Sequence, residues 1–129
     1  MATISCIGGG SYGWMPSLIA RMMRTASFQG DRLVLMDLDP VALEDIHRLA
    51  LSMKAHVRSP IEVVATADLG RALDGADYVS LTISTGGLEA MAVDLEVPER
   101  FGIFQTVGDT VGPGGLSRTL RNVPVLLGI

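Results

Sequence analysis

Glycines at positions 8, 10 and 13, within Gly8-Gly9-Gly10-Ser11-Tyr12-Gly13, have the spacing of a turn that holds a phosphate. In such a turn the first glycine permits a sharp exit from a strand. The second lets a pyrophosphate approach bare backbone, and the third lets the next helix pack closely on the strand. Free N–H groups at the head of that helix then face the anion, which brings in Ser11 and Tyr12. A glycine-rich turn with no ligand has the same composition, so the surroundings decide. The apolar run Thr3-Ile4-Ser5-Cys6-Ile7 comes directly before, a helix-like pattern comes directly after, and Asp37 stands at the distance of a ribose-binding carboxylate. Asp37 would accept hydrogen bonds from the adenosine ribose hydroxyls and repel a 2′-phosphate, favouring NAD over NADP. Its other reading is a cap for the following helix, a place that Asp39 already fits.

Ser84, Thr85 and Gly86 form a third segment, expected beside the pyrophosphate and the nicotinamide ribose. Their plainer reading is a strand-to-helix turn. Glu89 and Asp109 are the candidates for substrate contact at the mouth of the site. Taken alone, a glutamate at a helix start complements the macrodipole, and an aspartate in a glycine-rich loop forms a turn. The chain has no Ser-His-Asp set, no G-K-[ST] phosphate loop and no cluster with metal-ligand spacing. His47 and His56 are nine apart, off the i, i+4 spacing of a helical metal pair, and read as surface residues. These residues would hold a redox nucleotide but provide no catalytic acid, base or metal ligand, which leaves open a dehydrogenase for a small hydroxy acid and a non-catalytic nucleotide-binding module.

The elements that would carry them alternate in type. Strand one is Thr3 to Ile7. A helix from about Gly13 or Pro16 to about Thr25 turns Leu18, Ile19, Met22 and Met23 toward a sheet, with Pro16 suited to its first turn. Strand two is Arg32 to Met36. Asp39-Pro40 then caps and opens a helix to about His56, with Val41, Ile46, Leu49, Ala50 and Met53 as its buried side. Ile61 to Ala65 is strand three, Asp68 caps a short helix through Leu73, and Tyr78 to Ile83 is strand four. Strands alternating with helices pair in parallel through right-handed crossovers. The expected fold is α/β, a Rossmann-type doubly wound parallel sheet of order 3-2-1-4, within one domain spanning residues 1–129. A helix from Leu88 to about Glu96 follows, ended by Pro98. Five of the eleven residues from Gln105 to Gly115 are glycine or proline, which predicts irregular structure. A last helix begins near Leu116 with the stripe Leu116, Leu120, Val123 and Leu127. Pro124 predicts a kink or early break in it, and with no capping glycine or polar tail it reads as cut within the element.

Apolar residues make up 48% of the 129, and mean hydropathy is +0.39, high for a lone small domain. Part of the surface is therefore expected to cover a second domain or subunit, and an open edge at strand four adds to the expectation of a homo-oligomer. A net charge of −4 without a basic cluster argues against nucleic acid or an anionic membrane as partner. One cysteine, Cys6, excludes a disulfide framework and makes a cytoplasmic setting the default. No run reaches the length of a membrane span, and the first residues lack the pattern of a signal peptide.

Beyond the fingerprint, the opening I-G-G-G-S-Y-G-W-M-P-S-L (Ile7 to Leu18) resembles that of family 4 of the glycoside hydrolases. So do L-M-D-L-D (Leu35 to Asp39), G-A-D-Y-V before strand four, and G-G-L-E-A (Gly86 to Ala90). Most specific is V-G-D-T-V-G-P-G-G-L-S-R-T-L-R-N-V-P-V-L (Val107 to Leu126). The likeness covers the whole chain and about the first third of a typical member. It implies an unusual glycosidase, an exception to the scheme of two carboxylates. Bound NAD⁺ oxidises the sugar at C3, a tyrosine removes the proton on C2, a divalent metal, commonly manganese, stabilises the enediolate, and the aglycone is eliminated. In the family the metal-binding cysteine and histidine and the base tyrosine lie after such a segment. Cys6, Tyr12 and Tyr78 stand in the wrong motifs to replace them, so this chain alone is expected to bind cofactor without turnover. Members acting on 6-phospho-glycosides resemble I-R-V-G-G-L-E-A-R here, with arginines suited to a sugar phosphate. Ser84 and Met91 occupy those two places, which favours a non-phosphorylated or uronic α-glycoside over a 6-phospho-glucoside. Arg100, Arg118 and Arg121 remain as possible partners for an acidic group.

Overall fold

The structure, a computed structural model, describes residues 1–107 and 111–129. The chain divides into two compact units, Met1–Ile83 and Ser84–Ile129.

The first unit contains strands β1 (Thr3–Ile7), β2 (Arg32–Met36), β3 (Glu62–Thr66) and β4 (Tyr78–Leu81), and helices α1 (Met15–Arg24), α2 (Pro40–Val57) and α3 (Leu69–Leu73). A 3₁₀ turn, Ala26–Phe28, follows α1. The sheet is parallel throughout, as the alternation of elements requires, and its order is β3-β2-β1-β4, as expected of the doubly wound fold. In register, Ile4 faces Leu33 on one side and Tyr78 on the other.

One face of the sheet and the two long helices share the core, which includes Cys6, Ile19, Leu33, Leu35, Ile46 and Ile61. Burial pushes the Cys6 thiol up to about 11, so it behaves as a small apolar side chain. On α1, Met15 joins Ile19, Met22 and Met23 in the core, while Leu18 is half-buried against it.

Two sequence expectations change within this unit. On α2, Val41 and Leu49 lie at the surface, and Ala42 and Leu43 are buried in their place. The stripe through Ile46 and Ala50 runs back three and four residues onto Leu43 and Ala42, which leaves Val41 and Leu49 off its line. Strand β4 ends at Leu81, short of Ile83, although Thr82 N–H still donates to Ile7 O at 2.8 Å. Among the described residues β4 pairs only with β1, and Tyr78, Val79 and Leu81 are exposed along it.

The second unit is a pair of helices, α4 (Gly87–Glu99) and α5 (Gly112–Leu126). Both run beyond the bounds read from sequence. Pro98 lies inside the last turn of α4 and is buried there, not after its end. The carbonyl that an N–H at position 98 would have met, that of Asp94, faces α5 instead. A Cβ on Gly114 would stand 2.4 Å from it. Gly112 to Gly115, expected to be irregular, form the first turn of α5. Pro113 fits that turn because no N–H is needed there, and Gly114 and Gly115 are buried, with the two backbones approaching at Gly114. The helix continues through Pro124 to Leu126. Its apolar stripe points outward, with Leu116, Leu120 and Leu127 more than 60% exposed.

Candidate functional site

In the first unit the segment Gly8 to Gly13 leaves the carboxyl end of β1 and is fastened from several sides. Gly8 and Gly9 N–H both donate to Met36 O, at 2.9 and 2.7 Å, which ties the loop to the end of β2. The Thr82 hydroxyl, just past β4, donates to Gly8 O at 3.0 Å and to Ile7 O at 3.3 Å. Gly10 N–H donates to Asp37 Oδ2 at 2.8 Å. Ser11 N–H returns to Gly8 O, and Met15 N–H to Ser11 O, closing the turn into α1. Between these bonds the amides of Tyr12, Gly13 and Trp14 have no acceptor among the described residues. Three successive exposed residues leading into a ten-residue helix thus leave their backbone donors free, a chemistry suited to an anion.

The glycines divide the work differently from the expectation. Gly8 alone has the left-handed conformation (φ +90°), and a Cβ there would stand 2.3 Å from Thr82 O. Gly9, outside the spacing, makes the close approach to β2, where a Cβ would lie 2.7 Å from Met36 N. Gly10 is buried against Asp37 and Ala42, so its missing side chain makes room for protein, and its amide is already taken. A Cβ on Gly13 would meet nothing within 4 Å. The expected packing of helix on strand at Gly13 is therefore corrected, because α1 begins two residues later and Gly13 lies in an exposed turn.

Asp37 is half-buried at the end of β2 and brought directly to the glycine loop. Its Oδ1 accepts from Asp39 N–H at 3.0 Å. Asp39 caps α2, accepting from Val41 and Ala42 N–H. The cap and the loop anchor are thus separate carboxylates, and each oxygen of Asp37 keeps acceptor capacity for a further donor. The Tyr12 side chain turns to α2, where its hydroxyl donates to Asp45 at 2.9 Å. That bond raises the phenol above its ordinary value, while donation from Arg48 and then from Tyr12 holds the Asp45 carboxyl below its own.

Ser84, Thr85 and Gly86 open the second unit. Gly86 (φ +87°) and Gly87 (φ +59°) both adopt left-handed backbone, and Gly87 N–H donates to Ser84 O at 3.3 Å. Thr85 N–H donates to the Asn122 side-chain oxygen at 3.2 Å, and Thr85 O accepts from Arg121 Nε at 3.4 Å. Arg121 also grips Asp94 with both terminal nitrogens and donates to Ser117 Oγ at 2.9 Å. The Asp94 side chain is 2% exposed, and the Arg121 guanidinium holds its carboxyl below the usual carboxylate range. Arg121 is consequently removed from the arginines expected to serve an acidic ligand, and Arg100 is paired with Glu96 at 2.5 Å. Arg118 has no ion-pair partner among the described residues. Glu89 is exposed in the first turn of α4. Asp109 lies outside the described residues.

Sequence reasoning missed Thr82, which it placed inside strand four without a role, and Asp94, which it passed over in a helical run. A carboxylate on the otherwise apolar face of α4 was the available signal for the second. His56 is exposed and His47 half-buried, and no three of His, Cys, Asp and Glu come together to hold a metal among the described residues.

Residues 3–129 match the family described as Family 4 glycosyl hydrolase. An alpha-galacturonidase of Thermoanaerobacterium saccharolyticum is 40% identical over 128 residues, which are 98% of this chain and 28% of that protein. An alpha-galacturonidase of Bacillus subtilis is 43% identical over 122 residues, 95% of this chain and 26% of its own length. Among solved structures, a 6-phospho-alpha-glucosidase from gut microorganisms in complex with NAD and Mn²⁺ superposes with a TM-score of 0.87 at 22% identity. That match covers 98% of this chain and 29% of the other, and at this identity it speaks for the fold. The chain spans between a quarter and a third of the length of these proteins.

Proposed function

We propose a function from one premise: this chain belongs to family 4 of the glycosyl hydrolases. In our reading it is the NAD-holding part of a glycosidase whose substrate is a non-phosphorylated or uronic α-glycoside. The observation that carries this reading is the row of free amides at Tyr12, Gly13 and Trp14, set beside a loop that Asp37 holds through Gly10. A row of backbone donors at a helix head fits the two negative charges of a dinucleotide's pyrophosphate. The remaining lone pairs of Asp37 fit two adjacent ribose hydroxyls, and its charge disfavours a 2′-phosphate. When bound, NAD would supply a hydride acceptor for transient oxidation of the sugar at C3, which makes elimination of the aglycone possible.

In this scheme the residues of the chain bind and orient. In the first unit Gly8, Gly10, Ser11, Tyr12 and Gly13 form or support the cradle and Asp37 reads the ribose; in the second, taken by itself, Ser84, Thr85 and Gly86 are assigned to cofactor contact. Glu89 and Asp109 are assigned to the sugar. The described residues do not form a metal site, so the manganese of the solved relative is assigned no ligand here. Substrate charge follows from arginine placement. Ser84 and Met91 provide no phosphate clamp, and with Arg121 committed to Asp94 we assign Arg118 to a uronate carboxylate. The alpha-galacturonidases among the relatives support this choice.

The test uses the full-length protein with manganese, with and without NAD, on aryl α-galacturonide, α-galactoside, α-glucoside and 6-phospho-α-glucoside, in deuterated water. The expected result is NAD-dependent release of aglycone, fastest from the galacturonide, with solvent deuterium at C2 of recovered sugar. Turnover that ignores NAD and leaves C2 unlabelled overturns the mechanism. Preference for the 6-phospho sugar overturns the substrate class, and net accumulation of NADH would identify a dehydrogenase instead.

A further inference from the structure

The turn at Ser84–Gly87 is held by its neighbours more closely than its length requires. The two backbone polar atoms of Thr85, in two successive peptide groups, are gripped by consecutive residues of α5. Asn122 Oδ1 accepts the Thr85 N–H at 3.2 Å, and Arg121 Nε donates to the Thr85 carbonyl at 3.4 Å. Arg121 is in turn fixed by the fork it makes with Asp94 of α4, and by Ser117 one turn earlier on its own helix. Gly86 leaves the space this needs, since a Cβ there would stand 2.6 Å from Ala90 Cβ and 3.4 Å from Arg121 Nε. An isolated turn with two left-handed glycines samples many shapes, because glycine has the most backbone freedom to lose. Here that freedom is removed before any ligand arrives.

We propose that Asp94, Arg121 and Asn122 form a positioning latch that fixes the backbone on both sides of Thr85 in the conformation in which the turn takes up its cofactor. The proposal rests on the reading of Ser84–Gly86 as a cofactor-holding segment and adds residues that touch neither cofactor nor sugar. The latch lowers the conformational cost of binding rather than adding a contact to the ligand. Asp94 fixes the orientation of the planar guanidinium against the turn, and a planar fork is what lysine lacks at the same place.

Asn122 gives the sharpest test, because a change there leaves the ion pair intact. Asn122→Asp keeps an oxygen for Thr85 N–H, whereas Asn122→Ala removes it. In the full-length protein, NAD dissociation constants are measured by fluorescence titration together with melting temperatures for both variants, for Arg121→Lys, and for Gly114→Ala. The last variant disturbs the approach of α5 to Asp94 O without touching the turn. The latch requires NAD to bind about tenfold more weakly in Asn122→Ala and Arg121→Lys, with Asn122→Asp near the parent. It also requires Gly114→Ala to lose melting temperature with a smaller loss of NAD affinity. Equal losses in Asn122→Asp and Asn122→Ala, or affinity that merely tracks melting temperature across the set, overturn the latch while leaving the cofactor reading standing. A parent protein that binds no NAD overturns both.

Discussion

Changing Asp37 to asparagine alters one oxygen at a position where both are in use. Oδ2 accepts the Gly10 amide at 2.8 Å and Oδ1 the Asp39 amide at 3.0 Å. A carboxylate offers about four acceptor positions, so about two are left for a ligand. Asparagine offers about two in all, on a single oxygen, and its NH₂ group must face one of the two backbone donors. Gly10 is buried and Asp39 exposed. The oxygen therefore stays with Gly10, where an orphaned amide would cost about 1–3 kcal/mol, and the NH₂ turns toward Asp39, whose amide can use water. The glycine loop survives, and the loss falls on the ligand: the negative charge and one ribose position disappear. A hydrogen bond to a charged group contributes about 1.5–3 kcal/mol, so NAD should bind roughly 10- to 100-fold more weakly to Asp37→Asn. Discrimination against NADP should narrow at the same time, because nothing then repels the 2′-phosphate. Titration of the full-length protein with NAD and NADP, followed by tryptophan fluorescence, measures both. NAD affinity within twofold of the parent would mean that Asp37 serves only Gly10 and Asp39. The ribose assignment would then be wrong.

Gly8→Ala and Gly13→Ala should behave oppositely although both belong to one motif. The first meets Thr82 O at 2.3 Å with φ +90° and should lose about 3 kcal/mol or more in urea unfolding, whereas the second enters open space and should stay within about 1 kcal/mol of the parent. Equal losses would refute the division of roles between the two glycines. The Asp94 carboxyl lies below its usual value because Arg121 donates to it, so this group binds a proton more readily in the unfolded chain. Its contribution to stability is complete above the unfolded value near 3.8 and is lost as pH falls through the lower folded value. Thermal unfolding between pH 6 and pH 2 should show an acid limb that flattens in Asp94→Asn, and an unchanged limb would refute it.

Much of the first unit could be read from sequence because its signals are local. The apolar strands, the Asp39-Pro40 start of α2 and the Asp68 cap of α3 each act within a few residues, and all are present. The order of the sheet followed from the doubly wound nucleotide-binding fold that the glycine loop and the alternation of elements indicated together. The second unit was harder for an equally physical reason. Glycine and proline between 112 and 115 normally break a helix, but here Pro113 fills a first turn and Gly114 lets α5 approach α4. Composition gives the local preference of such residues, and the helix–helix contact overrides it.

The site separates in the same way. Motif spacing located the glycine loop, the carboxylate and the turn after strand four, yet misassigned two of the three glycines. A fingerprint records where glycine is tolerated, and a missing side chain can make room for a ligand or for protein. Gly10 makes room for Asp37 and Ala42. Spacing singled out Asp37 as a ribose partner, but neither its bond to Gly10 nor the hold of α5 on Thr85 follows from a spacing rule. Gly10 and Asp37 are 27 residues apart, and Thr85 is 36 and 37 residues from Arg121 and Asn122. Helical rules reach three or four residues and strand rules reach two. A side chain that holds a distant peptide therefore leaves no periodic mark. In the second unit the backbone of Thr85 is fixed by such remote polar side chains, and no cofactor motif contains Arg121 or Asn122.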